Sequence, residues 1–439
     1  MYGLLKSKFI SLYDRLNFWL GYPMISFHLI LIITFLLTSL GLIIVLSSSS
    51  VYSYNIFGSP WLVFRHQVLW TVVGLIAFCL SLRIPIVTLH KLALPVVLFT
   101  IFLLILVIIP GVGKLSNGSR SWFVIAGISI QPSELTKISF AVWGAHLLTN
   151  KCISYTSLYS ILTPLLTIAT IILILVFSQP DLGQAVSIAI VLVGLFWYAR
   201  LPIKLFIYSI LSGITVVFIL AISSGYRSER IQSWLDPSVD NQGIGYQSHQ
   251  AKLALANGCI FGNGLGQGAA KWGYLPNAHN DFIFAIFGEE LGFIGSLLLL
   301  VLFTILTYTG MYVAQQLIDP FLRLLTSTII LWVIGQTIIN ISYVIGLLPV
   351  TGLQLPFISV GGSSQIVTFL MIGLVMNASR HTPQTIALLW SGHFEIVGQA
   401  LLLPLPKPFK GYLTNEYNIF DINYVLHKKY SNNFLNSFI

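Results

Sequence analysis

The sequence predicts an all-α polytopic membrane protein of about ten transmembrane helices, with a large extracytoplasmic loop between helices 7 and 8. Three observations predict it. Of 439 residues, 56% are hydrophobic and only 8% charged, where a soluble domain carries about 25% charged residues. Apolar stretches recur at the length of about 20 residues that a helix needs to cross a bilayer, at roughly 1.5 Å per residue. Lys and Arg are shared unequally between alternate connections, as orientation in a membrane requires. Lipid is therefore the solvent for most of the chain.

Breaks at Gly, Pro and polar clusters place the spans at 25–47, 67–82, 92–111, 132–149, 159–178, 184–200, 203–224, 282–309, 322–346 and 357–378. The first apolar run, Ile25 to Leu46, exceeds the h-region of a cleaved signal peptide and lacks a following small-residue cleavage site, so it reads as a retained span. The fourth is the least apolar, opening on Glu134 and Lys137. A hydrophilic loop, 226–281, separates the seventh from the eighth. Residues 1–24 and the Pro-punctuated tail 381–439 flank the membrane domain 25–380. With the N-terminus inside, 14 of the 22 Lys and Arg fall on the cytoplasmic side, so both termini are expected there.

Cys79, Cys152 and Cys259 are too scattered for a disulfide framework or a metal cluster. A net charge of +9 without a basic helix or an aromatic-basic ribbon argues against nucleic acid and for membrane orientation plus an anionic substrate. The basic residues outside the cytoplasmic set are Arg65, Lys114, Arg120, Lys137, Arg227, Arg230, Lys252 and Lys271. They gather in the outer connections of densest polar content, where they are expected to form a positive site for phosphate or pyrophosphate.

Five polar blocks interrupt the apolar pattern. Asn117-Gly118-Ser119-Arg120-Ser121-Trp122-Phe123 carries a turn signal and reads as a hairpin-like connection. Gln131-Pro132-Ser133-Glu134-Leu135 reads as a helix start, with Glu134 expected to pair with a basic neighbour at the span's edge. In the tight turn Gln179-Pro180-Asp181-Leu182-Gly183, Asp181 reads as a helix cap. The long loop holds Gly262-Asn263-Gly264-Leu265-Gly266-Gln267-Gly268, which lacks the preceding strand and the lysine-hydroxyl pair of a nucleotide loop. Its glycines are expected to admit a headgroup or to make turns. That loop ends on Pro276-Asn277-Ala278-His279-Asn280-Asp281, where Asp281 is either an N-cap or a catalytic carboxylate. Glu289 and Glu290 follow, about 12–13 Å deeper if the helix is regular. Last, Leu348-Pro349-Val350-Thr351-Gly352-Leu353-Gln354-Leu355-Pro356-Phe357-Ile358-Ser359-Val360-Gly361-Gly362-Ser363-Ser364 reads as a re-entrant loop beside a polar cavity.

In this order the blocks resemble the SEDS family of shape, elongation, division and sporulation proteins, over roughly residues 25–380. The resemblance implies a ten-helix peptidoglycan glycosyltransferase of the bacterial inner membrane. Such an enzyme polymerises lipid II, an undecaprenyl-pyrophosphate-linked disaccharide-peptide, on the outer face. It works with a class B penicillin-binding transpeptidase and, at the septum, with other divisome membrane proteins. The Gly352–Ser364 block and the Asn117–Phe123 block resemble the division branch, of actinobacterial type, more than the elongation branch. The family's proposed catalytic aspartate falls on Asp281. Asn277 and Asn280 stand where the family more often has an acid and a threonine, and Val360 replaces a frequent aromatic.

The chemistry needs a base for the acceptor hydroxyl and positive charge for the departing pyrophosphate. Asp281 suits the first; Arg227, Arg230, Lys271, Arg120 and Arg65 suit the second. Supporting roles are expected for Glu134, Lys137, Asp181, His279, Glu289, Glu290, Ser359, Gly361, Gly362 and Ser363. A divalent cation, Mg or Mn, could share the pyrophosphate, although no ligand cluster assigns one. The competing readings are a transporter that moves lipid II, an elongation-type polymerase and a non-catalytic division scaffold.

Overall fold

The computed structural model describes residues 20, 22, 24–116, 119–125, 128–152, 158–199, 234–235, 244–276 and 278–390. The helices are α1 (Ile25–Phe57), α2 (Leu62–Ser81), α3 (Ile86–Ile108), α4 (Pro132–Cys152), α5 (Leu158–Ser178), α6 (Leu182–Tyr198), α7 (Ile244–Asn257), α8 (Ile283–Gln316), α9 (Pro320–Val344), α10 (Gly362–Ser379) and α11 (Pro383–Trp390). All the expected spans but the seventh coincide with these helices; 203–224 lies outside the described residues, as do Arg227 and Arg230. Among the described residues, α1, α2, α3, α8, α9 and α10 are long and apolar enough to cross a membrane, and α6 is a shorter apolar helix. Large apolar side chains cover the outside, with Phe35 at 69% and Phe293 at 64% exposure. That surface fits lipid rather than water.

Local chemistry sets several helix ends. Asp319 caps α9 by accepting from the Phe321 N–H at 2.8 Å, with Pro320 in the first turn where no amide is needed. α1 runs past its expected end to Phe57. Ser48 and Ser50 return their hydroxyls to the carbonyls of Val45 and Ser47, so these polar residues stay helical.

The connection from α3 to α4 departs from a purely helical architecture. Strands β1 (Lys114–Ser116), β2 (Ser119–Ile125) and β3 (Ile128–Ile130) form an antiparallel sheet in the order β1-β2-β3. Ser116 pairs with Ser119 across the expected Asn-Gly turn, and Phe123 pairs with Ile130. The antiparallel β1–β2 pair agrees with the expected hairpin-like connection, and β3 extends it to a third strand that the sequence reading did not include.

α8 is broken at Gly292, whose backbone (φ 69, ψ −168) is open only to glycine. The two helical bonds lost there, Phe293 to Glu289 and Ile294 to Glu290, are replaced one for one. The freed carbonyls of Glu289 and Glu290 accept from the N–H groups of Asn263 and Gly264, both at 3.0 Å. The freed N–H groups of Phe293 and Ile294 donate to Cys259 and Ile260, at 3.0 and 3.1 Å. Unsatisfied backbone is not tolerated in an apolar medium, and here the glycine run supplies the partners. A Cβ on Gly262 would lie 2.2 Å from the Glu290 carbonyl oxygen. Gly262 therefore admits the α8 backbone, while Gly264 and Gly266 take the positive φ of turns.

His279 packs against Tyr52 with tilted rings, and Glu290 accepts from Ser47 at 2.5 Å, five residues earlier along α1.

Candidate functional site

Asp281 precedes α8 by two residues. The N-cap position falls on Phe282, whose side chain makes no capping bond, and Ala285 N–H returns to the Phe282 carbonyl at 2.9 Å. The Asp281 carbonyl is instead taken by α9, accepting from Tyr343 Oη at 2.8 Å and Asn340 Nδ2 at 3.1 Å. The same two side chains reach the Leu353 carbonyl, at 2.6 and 2.7 Å. Gly352 (φ 75) lies against the carboxylate, where a Cβ would stand 3.5 Å from Oδ2. Two residues upstream, the His279 carbonyl accepts from Val360 N–H at 3.1 Å. The His279 ring is buried against Tyr52, and desolvation lowers its pKa to about 4. It is neutral at pH 7.

The stretch from Gly346 to Gly361 is irregular and largely buried, with Leu353, Leu355, Phe357, Ile358 and Ser359 inside. Side chains of α2 and α9 satisfy its backbone. Gln336 Nε2 donates to the Gln354 carbonyl at 2.8 Å; Gln67 donates to the Ser359 carbonyl at 3.3 Å and accepts from Gly361 N–H at 3.2 Å. Ser359 Oγ closes a turn by accepting from Leu355 N–H at 2.8 Å. The Gln354 side chain donates to the Val360 carbonyl and accepts from the Ser364 hydroxyl. Gly362 faces the Trp70 ring, and Ser363 is buried beside it in the first turn of α10. Ser359 and the two glycines thus shape the loop. Sequence reasoning missed Gln67, Gln336, Asn340 and Tyr343, although polar side chains inside apolar spans were an available signal.

A second cluster packs on the same stretch, since Gly183 abuts the Thr351 carbonyl. Asp181 caps α6, accepting from Gln184 N–H at 3.1 Å, and also accepts from Gln131 Nε2 at 2.7 Å. Burial pushes its pKa up to about 6, against the opposing effect of these bonds. Gln184 Nε2 donates to Glu134 at 2.6 Å, and Glu134 pairs with Lys137 at 2.6 Å, both deeply buried. Lys137 Nζ also lies 5.0 Å from the Trp332 ring centroid. Trp332 Nε1 donates to Ser187 Oγ, which donates to Gln336 Oε1, so the cluster reaches the irregular stretch by an unbroken chain of contacts.

Of the basic residues expected to meet pyrophosphate, Arg65, Arg120 and Lys271 fall among the described residues. Lys271 is buried: Nζ donates to the Gly266 carbonyl at 2.5 Å, to Ser47 at 3.2 Å and to Glu290 at 3.3 Å. Its charge is paired internally with Glu290. Glu289 accepts from the N–H groups of Ala269 and Ala270, at 3.0 and 3.1 Å, at the head of the 3-10 turn Ala270–Trp272. Both glutamates therefore fasten the long loop to α8. Arg65 is exposed on α2, and Arg120 is half-buried on β2. Among the described residues, no group of three His, Cys, Asp or Glu side chains gathers to hold a metal ion.

A family model described as "Cell cycle protein" and named for FtsW, RodA and SpoVE matches residues 27–384. The chain belongs to this family. A relative from Mycobacterium tuberculosis, "Probable peptidoglycan glycosyltransferase FtsW", is 56% identical over 395 residues, covering 90% of this chain and 75% of the relative. "Stage V sporulation protein E" of Bacillus subtilis is 38% identical over 354 residues, covering 81% and 97%. Among solved structures, one described as "Structural coordination of polymerization and crosslinking by a peptidoglycan synthase complex" aligns with a TM-score of 0.65 at 26% identity, covering 80% of this chain and 96% of that one. The RodA structure from Thermus thermophilus aligns with a TM-score of 0.61 at 24% identity, covering 82% and 98%, and shares the fold. The family membership thus agrees with the resemblance read from the five sequence blocks.

Proposed function

We propose that this chain is a peptidoglycan glycosyltransferase that polymerises lipid II into glycan strands at the division septum, with a class B penicillin-binding transpeptidase as partner. The observation that carries the reading is the 56% identity to a relative named as such an enzyme of the FtsW type. The broken-helix site around Asp281 supports it. In this reading Asp281 accepts the proton of the acceptor sugar hydroxyl as that oxygen attacks the anomeric carbon of the donor, and lipid pyrophosphate departs. Arg227 and Arg230, with Arg65 and Arg120, neutralise the leaving pyrophosphate. Arg suits this because its planar fork binds phosphate oxygens in pairs. A divalent cation, Mg or Mn, if bound, would share the charge of the pyrophosphate with these arginines. The termini face the cytoplasm, and loop 226–281 faces outward.

Strand synthesis by the purified protein with its transpeptidase partner tests the proposal. Asp281→Asn keeps the side-chain size but removes the proton acceptor, and should lower synthesis by at least about 100-fold, the lower end for general base catalysis. Normal polymer yield from this variant would overturn the mechanism. Movement of lipid II across proteoliposome membranes without polymer formation would favour a transporter.

A further inference from the structure

We propose that Asn340 and Tyr343 are positioning residues for Asp281, anchoring its main-chain carbonyl so that the carboxylate is carried at a fixed place beside the irregular stretch. The proposal rests on the reading of Asp281 as the base. Both side chains are fully buried and stand three residues apart, on one face of α9. Three polar hydrogens serve three acceptors there. The Asn340 amide has two and the Tyr343 hydroxyl one; the acceptors are the Asp281 carbonyl, the Leu353 carbonyl and the Tyr343 oxygen, which lies 2.6 Å from Nδ2. Tyr343 donates to one carbonyl, and Asn340 donates to the other and to the phenol. The amide cannot be turned over, because its oxygen would then face two carbonyl oxygens.

The clamp acts on Asp281 from a different helix: the first helical return of α8, from Ala285, goes to Phe282, while the Asp281 carbonyl accepts from two side chains of α9. A shift of this anchored carbonyl would move the Asp281 Cα, and with it the carboxylate, away from the acceptor hydroxyl. The second carbonyl in the clamp, Leu353, follows Gly352, which lies against the Asp281 carboxylate. One pair of side chains therefore fixes the base and the backbone beside it relative to each other. A misplacement of about 1 Å in such a group lowers rates by roughly 100-fold.

The test is steady-state strand synthesis by the full chain with its partner, for Tyr343→Phe, Asn340→Asp and Asp281→Asn. Phe keeps the ring and removes the donor; Asp keeps the shape and sets an acceptor against two carbonyls. Tyr343→Phe should lower kcat roughly tenfold, the scale of one lost hydrogen bond, with KM unchanged. Asn340→Asp should lose more. A merely structural role would reduce the fraction of folded enzyme without separating kcat per folded molecule from KM, so the folded fraction is measured by thermal unfolding in parallel. Wild-type kcat in Tyr343→Phe while Asp281→Asn is inactive would overturn the clamp and leave the base in place. A raised KM with unchanged kcat would overturn it too, by making the contact one of substrate binding. A fully active Asp281→Asn would overturn the underlying reading instead. If Asn340→Asp fails to fold, Tyr343→Phe alone decides.

Discussion

Lys271 and Glu290 face each other across 3.3 Å, with side chains 5% and 0% exposed, and tie the long loop to the broken start of α8. A buried ion pair contributes little net stability when intact, but one partner left alone is strongly destabilising.

Lys271→Met should therefore destabilise the protein by about 3–5 kcal/mol, the cost of an uncompensated buried charge. The double variant Lys271→Met/Glu290→Gln should recover most of that loss. Thermal unfolding in detergent measures both. Equal damage from the single and the double variants would show that the shape of the loop matters rather than its charge balance.

Gly292→Ala tests the exchange of backbone bonds. A Cβ there would lie 2.3 Å from the Gly262 amide nitrogen, at a positive φ that side chains rarely adopt. A penalty of about 1–3 kcal/mol from strain alone is expected, with further loss from separating the loop from α8. Amide exchange should quicken at Asn263, Gly264, Phe293 and Ile294 together, because these four N–H groups make the exchanged bonds. Protection retained at all four would contradict the pairing.

His279 gives the protein an acid-sensitive contact. Its folded pKa of about 4 lies below the ordinary histidine value of 6.5, with burial as the cause. The unfolded chain therefore binds the extra proton first, and stability rises with pH between these values. The His279 contribution is fully present above pH 6.5 and is lost as pH falls towards 4. His279→Gln should flatten the dependence of the unfolding midpoint on pH across this window. An unchanged slope would place the sensitivity elsewhere.

Sidedness is open to direct measurement. Tyr274 is 58% exposed at the end of the long loop. Tyr274→Cys, with Cys79, Cys152 and Cys259 replaced by Ser, should react with an impermeant thiol reagent in intact cells. Labelling only after lysis would reverse the orientation and displace the catalytic assignment.

The sequence by itself determined the solvent and the spans, because hydropathy and helix rise are properties of consecutive residues. It also determined the Asp181 cap and the Glu134–Lys137 pair, whose members are three residues apart or fewer from the atoms they bind. The reversal between Ser116 and Ser119 was legible, but not the third strand, since β3 pairs through backbone groups that every residue carries. Only the tertiary structure decided that Lys271 meets Glu290, and that the glycine run mends α8. It alone brought Asn340 and Tyr343 to Asp281, 59 and 62 residues away along the chain. The physical reason is common to these cases. A polar group taken out of water must find a partner, but its residue type does not say which distant carbonyl, carboxylate or amide that partner is, and only the packing of helices against one another settles it.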